Sequence, residues 1–273
     1  MAQRVSARPL RIWPSVARLA ATTGIFVFHY LGLLGRYQYH LDLYAIVVFC
    51  FLSGYLAHLG ANKGLTEWTL QRYFAIMLPH WLVIFPVILA NKLYHYKDVS
   101  TLSVMVTILG GSIFLANPLY VITWYVTFVL LLYAYALLDH LATPLQRIVL
   151  FGLGLAVFSV ELHRGYYFVA FFIGLRLSNW NLSPRREVHT RHLATALFRV
   201  QQYCYPFFLV HGAVLLFFLN RTALSGFDFF SVAFVTSAIF AVLVYVVAKP
   251  LQVLVVGKLL GLSSARTSRR IPA

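Results

Sequence analysis

Long apolar runs, separated by short polar and basic gaps, set the pattern of the chain. About 20 apolar residues suffice to cross a bilayer as a helix. On that measure helical spans are expected at about 14 to 34, 40 to 60, 74 to 91, 120 to 138, 146 to 162, 165 to 180, 203 to 220 and 229 to 248. The stretch 102 to 116, LSVMVTILGGSIFLA, is apolar but shorter, and it carries Gly110, Gly111 and several hydroxyls. The pattern therefore predicts an all-α fold, a polytopic membrane helix bundle of about eight full transmembrane helices plus one short non-spanning or re-entrant helix. No internal repeat of about 20 to 50 residues is visible. Residues 1–273 read as a single integral-membrane domain with no appended soluble domain.

Composition agrees with this picture. The chain is 61% hydrophobic and 11% charged, with a mean hydropathy of +0.79, whereas soluble domains carry about 25% charged residues. The net charge of +15 could suggest nucleic acid, but the basic residues occupy the gaps between apolar runs and form no single stripe. They report topology instead. If 102 to 116 does not cross, Arg36, Lys92, Lys97, Arg164 and Arg221 lie on one side, and the other 17 of the 22 lysines and arginines lie opposite. If it crosses, Arg185, Arg186, Arg191 and Arg199 move to the outside, against the positive-inside rule. Both termini are thus expected to be cytoplasmic.

The N-terminus is basic and then apolar, like a signal peptide, but lacks a small-residue cleavage site and is expected to be a retained first helix. Residues 181 to 202 read as a basic cytoplasmic loop. After Pro250 the segment LQVLVVGKLL reads as an amphipathic helix, followed by the basic ARTSRR, suited to an anionic inner leaflet.

Two ionisable residues fall in the first span, RLAATTGIFVFH. His29 follows Arg18 by eleven positions, which places them about 20° apart on one helix face and about 16 Å apart along the axis. An imidazole inside a bilayer is costly unless it faces a cavity, a partner or water, so His29 is a candidate site residue. A hydrogen-bonded packing histidine is the rival reading. Arg18 fits either an anchor at the headgroups or an anion ligand, and Arg72 is divided in the same way. Ser53 and Gly54 suit close helix packing as well as a site. Trp124 and Tyr133, nine residues apart, are half a turn out of phase and cannot both face one pocket.

Other residues carry less. Cys50 and Cys204 lie in apolar segments without metal or redox spacing and read as buried hydrophobes. His58, His80, His95, His140 and His163 are expected at helix ends or loops. No metal site is expected, because HExxH, clustered carboxylates and paired histidines are missing. The chain also lacks GxSxG, a Walker A loop and GxGxxG, which removes support for serine hydrolase, NTPase and dinucleotide readings.

Several short motifs occur in one order. Arg18, ten residues and His29 come first, then FCFLSGYL with Phe49, Phe51, Ser53 and Gly54. QRYFAIMLPHW follows with Arg72, Pro79 and Trp81, then TWYVTFVLLLY with Trp124 and Tyr133, CYPFFLVH ending in His211, and AKP with Lys249 and Pro250. Across nearly the whole chain this series resembles the integral-membrane acyltransferase 3 family. Departures are Val129, where many bacterial members have glutamate, Cys204 in place of serine, Ala248 before Lys249, and a missing second arginine in the third-helix motif.

The resemblance implies an acyltransferase of a bacterial inner (cell) membrane. It would move an acyl group, usually acetyl, from cytoplasmic acyl-CoA to a hydroxyl of an envelope or exported carbohydrate. Its partners would be the bilayer, acyl-CoA and a carbohydrate or glycolipid acceptor, with no nucleic acid and no bound cofactor beyond the acetyl-CoA donor. His29 would be the catalytic base, Arg18 and Arg72 the acyl-CoA ligands, and Ser53, Trp124 and His211 the polar lining. A polysaccharide or glycolipid transporter is the alternative, since a buried histidine and arginine cavity suits it too, although inverted half-repeats are not evident. An inactive scaffold is a third reading, kept open by Val129.

Overall fold

The apolar runs fold as helices, and no strand occurs among the described residues. The computed structural model describes residues 12–36, 41–57, 64–161, 164–178, 191–222 and 224–261. In chain order the helices are α1 (Ile12–Leu33), α2 (Leu41–Tyr55), α3 (Leu65–Tyr94), α4 (Thr101–Ile108), α5 (Trp124–Leu141), α6 (Pro144–Ala156), α7 (Gly165–Leu177), α8 (Arg191–Val200), α9 (Cys204–Arg221) and α10 (Gly226–Leu259). Outside water, each polar side chain needs a nearby acceptor. Thr22, Thr69 and Ser237 find it four residues back, donating to the carbonyls of Arg18, Leu65 and Ala233 at 2.8, 2.9 and 2.7 Å.

Five helical stretches are long and apolar enough to cross a membrane: Ile12–Leu33, Leu65–Tyr94, Val121–Leu141, His192–Asn220 and Gly226–Leu259. The chain is a multi-pass membrane protein. The other three expected spans are also helices, but shorter: α2 has 15 residues, α6 has 13 and α7 has 13. At 1.5 Å per residue, 15 residues reach about 22 Å, short of a hydrocarbon core of about 30 Å. α6 gains a little from a π-turn at Val157–Glu161.

Interhelical contacts fix which ends lie together. Gln252 Nε2 of α10 donates to the Gln71 carbonyl of α3 at 2.8 Å, and Tyr205 of α9 donates to the Ile76 carbonyl at 3.1 Å. Arg176 of α7 pairs with Asp139 of α5 at 2.5 Å. These contacts define a basic end. At the opposite end Tyr30 of α1 donates to the Gly226 carbonyl of α10 at 2.7 Å. The helices alternate in direction, so α2 and α7 run parallel, and they pack closely where Gly54 meets the Phe171 carbonyl and Gly174 meets the Phe51 carbonyl.

The ambiguous stretch 102 to 116 is not among the helices long enough to cross a membrane. α4 has eight residues, ends at a turn where Gly110 takes φ +77°, and gives way to a 3-10 turn at Ser112–Phe114. The buried carbonyls of such a turn need partners. His80 Nε2 donates to the Thr107 carbonyl at 2.8 Å and Trp81 Nε1 to that of Ile108 at 2.9 Å, while the Thr127 hydroxyl bonds the Gly110 carbonyl. His80 thus corrects the expectation of a helix-end residue. It is fully buried in the middle of α3 and ties the end of α4 to α3. His95 and His140 do lie at helix ends, whereas His58 and His163 fall outside the described residues.

Two further expectations change. Residues 191–200, expected within a loop, form α8, with His192, Thr195 and Arg199 on one face and Leu193, Leu197 and Val200 on the other; 181–190 lie outside the described residues. The segment after Pro250 is not a separate helix, because α10 runs on through Pro250 to Leu259. Both cysteines are buried and free, as expected.

Candidate functional site

His29 lies seven residues into the apolar core of α1 from Thr22, on a helix whose buried face is set by Ala21, Thr22, Ile25 and Phe26. His211 lies in α9 and is fully buried. α1 and α9 pack together, and this brings the two imidazoles to a centroid separation of 5.1 Å. The chain distance between them is most of its length. Two histidines that sequence reasoning placed in separate motifs therefore form one pair.

Aromatic side chains enclose the pair. His211 stacks on Phe207 at 6.1 Å and contacts Phe208 at 5.8 Å and Phe26 at 6.2 Å, while Phe28 stands edge-on to His29 at 5.2 Å. His211 Nδ1 lies 3.2 Å from the Phe207 carbonyl. A carbonyl only accepts, so Nδ1 carries the proton and the neutral ring keeps Nε2 as its basic nitrogen. That nitrogen is buried with no hydrogen-bond partner among the described residues. Asp42, in the first turn of α2, lies within electrostatic reach of His29. Asp42 was not among the expected site residues. It could have been noticed, since the chain has only seven acidic residues and this one opens an apolar helix.

Tyr120 fixes the turn that carries His211. Its hydroxyl donates to the Leu209 carbonyl at 2.7 Å and accepts from the Ala213 amide at 2.9 Å. These are the groups that an unbroken helix would pair with each other, so the phenol is inserted into the ladder around His211. Gly212 permits the approach, because a Cβ there would collide with the Ile122 side chain. Tyr120 immediately precedes the 3-10 turn Val121–Thr123, and the segment that His80 and Trp81 anchor leads into it.

The other expected residues occupy two separate places. Ser53 lies close to the Tyr125 side chain, which is buried and within electrostatic reach of Cys50, Tyr133 and Tyr205. Tyr125 in turn stacks on Phe208, a neighbour of His211, at 4.9 Å. Arg72 lies at the basic end, its Cζ 5.8 Å from the Trp68 ring and 5.4 Å from that of Tyr133, and bonds the Leu56 carbonyl. A seam of hydroxyls and aromatics therefore runs from Arg72 through Tyr133, Tyr125 and Phe208 to the histidines. Arg18 stands beside Cys204, about 16 Å along α1 from His29.

Comparison of the chain with protein-family models, curated proteins and solved structures finds no match.

Trp124 faces the opposite end. Arg164 Cζ lies 4.3 Å from its ring centroid, and Tyr167 stacks on it at 6.3 Å. Trp124 opens α5 and Tyr133 lies near its middle, where Tyr133 meets Trp68 and Phe171 instead of Arg164 and Tyr167. Val129 is buried among apolar residues. Two clefts, of about 300 and 320 Å³, lie elsewhere, and none of the six expected site residues lines either. No group of three or more histidine, cysteine or acidic side chains suited to a metal occurs among the described residues.

Proposed function

We propose that the protein is a membrane-bound O-acyltransferase that moves an acyl group, in the simplest case acetyl, from acyl-CoA to a hydroxyl of an exported or envelope carbohydrate. The observation that carries this reading is the His29 and His211 pair, 5.1 Å apart inside a membrane bundle. Its components come from two motifs of the series that resembles acyltransferase 3. In this reading α2, α6 and α7 also cross, giving eight spans, with the bilayer thinning around the shorter helices. The basic end then faces the cytoplasm of a bacterial cell, in keeping with its excess of lysine and arginine.

The chemistry follows from the placement. Arg72, with Arg18 on the same side, meets the phosphates of acyl-CoA at the basic end, and the thioester reaches inward along the seam of hydroxyls. Neutral His29 takes the proton of the acceptor hydroxyl as its oxygen attacks the thioester carbonyl. The tetrahedral adduct collapses with loss of the CoA thiolate, which recovers the proton from the imidazolium. Asp42 supplies the carboxylate that this chain lacks at Val129 and stabilises the imidazolium while it exists. His211 offers a second basic nitrogen at the same point. Trp124, stacked with Tyr167, forms part of an aromatic face where a sugar ring packs.

The test is mass spectrometry of envelope glycans from strains with and without the gene. Loss of about one acetyl mass per modified residue is the expected outcome, and identical spectra would remove the assignment.

A further inference from the structure

Away from the histidines, α5, α6 and α7 converge at the basic end around Asp139, which is buried at 5% exposure. Both Nη atoms of Arg176 donate to its carboxylate, at 2.5 and 3.1 Å. Arg147 Nε donates to the Asp139 main-chain carbonyl at 3.0 Å, a bond that leaves both Nη groups of Arg147 for another acceptor. Two guanidinium groups against one carboxylate give this cluster a net charge of +1. The two arginines, with Pro144, Ile148, Phe151 and Phe172, line a cleft of about 320 Å³. Arg176 Cζ lies 4.6 Å from the Phe172 ring, and Phe151 packs on Phe172 at 4.3 Å. Ile148, on its rim, is 70% exposed, so the apolar wall opens sideways from the bundle.

A cation at one end and an apolar wall at the other describe a site for an amphiphile. We propose that this cleft binds one anionic phospholipid, its phosphate against Arg147 and Arg176 and an acyl chain along Ile148, Phe151 and Phe172. The single negative charge of a phosphodiester matches the cluster. The N-terminus of α6, which begins at Pro144, lies at the same cleft and adds its dipole to the positive charge there, its Gln146 amide being taken by the Thr143 hydroxyl. Arg147 and Arg176 are half-exposed where the basic end meets the headgroups, the level at which basic pockets between membrane helices hold anionic lipids. A soluble phosphate shares the headgroup chemistry but gains nothing from the aromatic wall. The site is independent of acyl transfer, since none of these residues takes part in the proposed reaction.

Thermal unfolding of the purified full-length protein in detergent tests this, with dioleoylphosphatidylglycerol, dioleoylphosphatidylcholine or inorganic phosphate added. Protection by phosphatidylglycerol alone is expected, and Arg147→Gln should raise the half-saturating lipid concentration about tenfold, as expected for loss of one charge-assisted contact. Ile148→Glu sets a carboxylate on the exposed rim without touching the Asp139 bonds, and a similar rise is expected. It decides the question if Arg147→Gln fails to accumulate. Equal protection by phosphatidylcholine, full protection by phosphate alone, or wild-type saturation in Ile148→Glu would overturn the proposal.

Discussion

The His29→Ala variant is expected to lose acceptor acylation by at least about a hundredfold, the usual contribution of a positioned general base, while inserting and accumulating like the wild type. The side chain is only partly buried, so its removal leaves no large cavity, and the neighbouring buried face of Ala21, Thr22, Ile25 and Phe26 is untouched. His211→Ala separates catalysis from packing. His211 is fully buried between Phe207, Phe208 and Phe26, and its loss should lower both thermal stability and activity. Asp42→Asn keeps the shape of the side chain but removes its charge. Its expected effect is a fall in turnover smaller than that of His29→Ala, with acceptor KM little changed, because the carboxylate acts on the imidazolium and not on the bound sugar. Acetylated glycan measured in a deletion strain complemented with each variant, alongside membrane protein level, reads all three. Wild-type acetylation by His29→Ala would end the base assignment.

Part of this arrangement was legible in the sequence, and the missing part has a physical reason. Apolar run length locates every major helix, since burial in lipid demands both the composition and the internal hydrogen bonding. It does not say where a helix stops. Pro250 looked like an end, yet α10 passes through it, because a single missing amide bond is tolerated inside a long apolar helix when neighbouring contacts hold both sides. The short stretch with Gly110 and Gly111 was recognisable from its length as unlike the long helices, and it forms an eight-residue helix. What supports it was not recognisable, because His80 and Trp81 serve the Thr107 and Ile108 carbonyls from a different helix, and nothing local marks them. The His29 and His211 pair shows the same limit. His29 was conspicuous as an ionisable group in an apolar run and His211 only as the end of a motif, and their meeting depends on α1 packing against α9. Tyr120, which clamps the turn around His211 from the segment before α5, becomes visible only through tertiary packing as well.

Gly54→Leu should prevent stable folding, and Gly54→Ala should lower the thermal stability of the detergent-solubilised protein by about 1–3 kcal/mol, the range for overpacking a close contact. The parallel helices α2 and α7 touch backbone to backbone: a Cβ on Gly54 would overlap the Phe171 carbonyl, and one on Gly174 would overlap that of Phe51. Lipid tails are as apolar as leucine, so helix association in a bilayer relies on such close packing and gains little from burial alone. α2 also carries Asp42, Cys50 and Ser53, and a shift away from α7 would move the partners of His29 and Tyr125. Stability and activity should therefore fall together here, unlike the outcome for His29→Ala. Gly174→Ala should behave as Gly54→Ala does. The double variant should cost less than the two single changes combined, because one outward step of α2 relieves both overlaps. Additive losses would mean that the glycines act at independent contacts, and a wild-type melting temperature for Gly54→Ala would mean that α2 and α7 do not approach this closely in the folded protein.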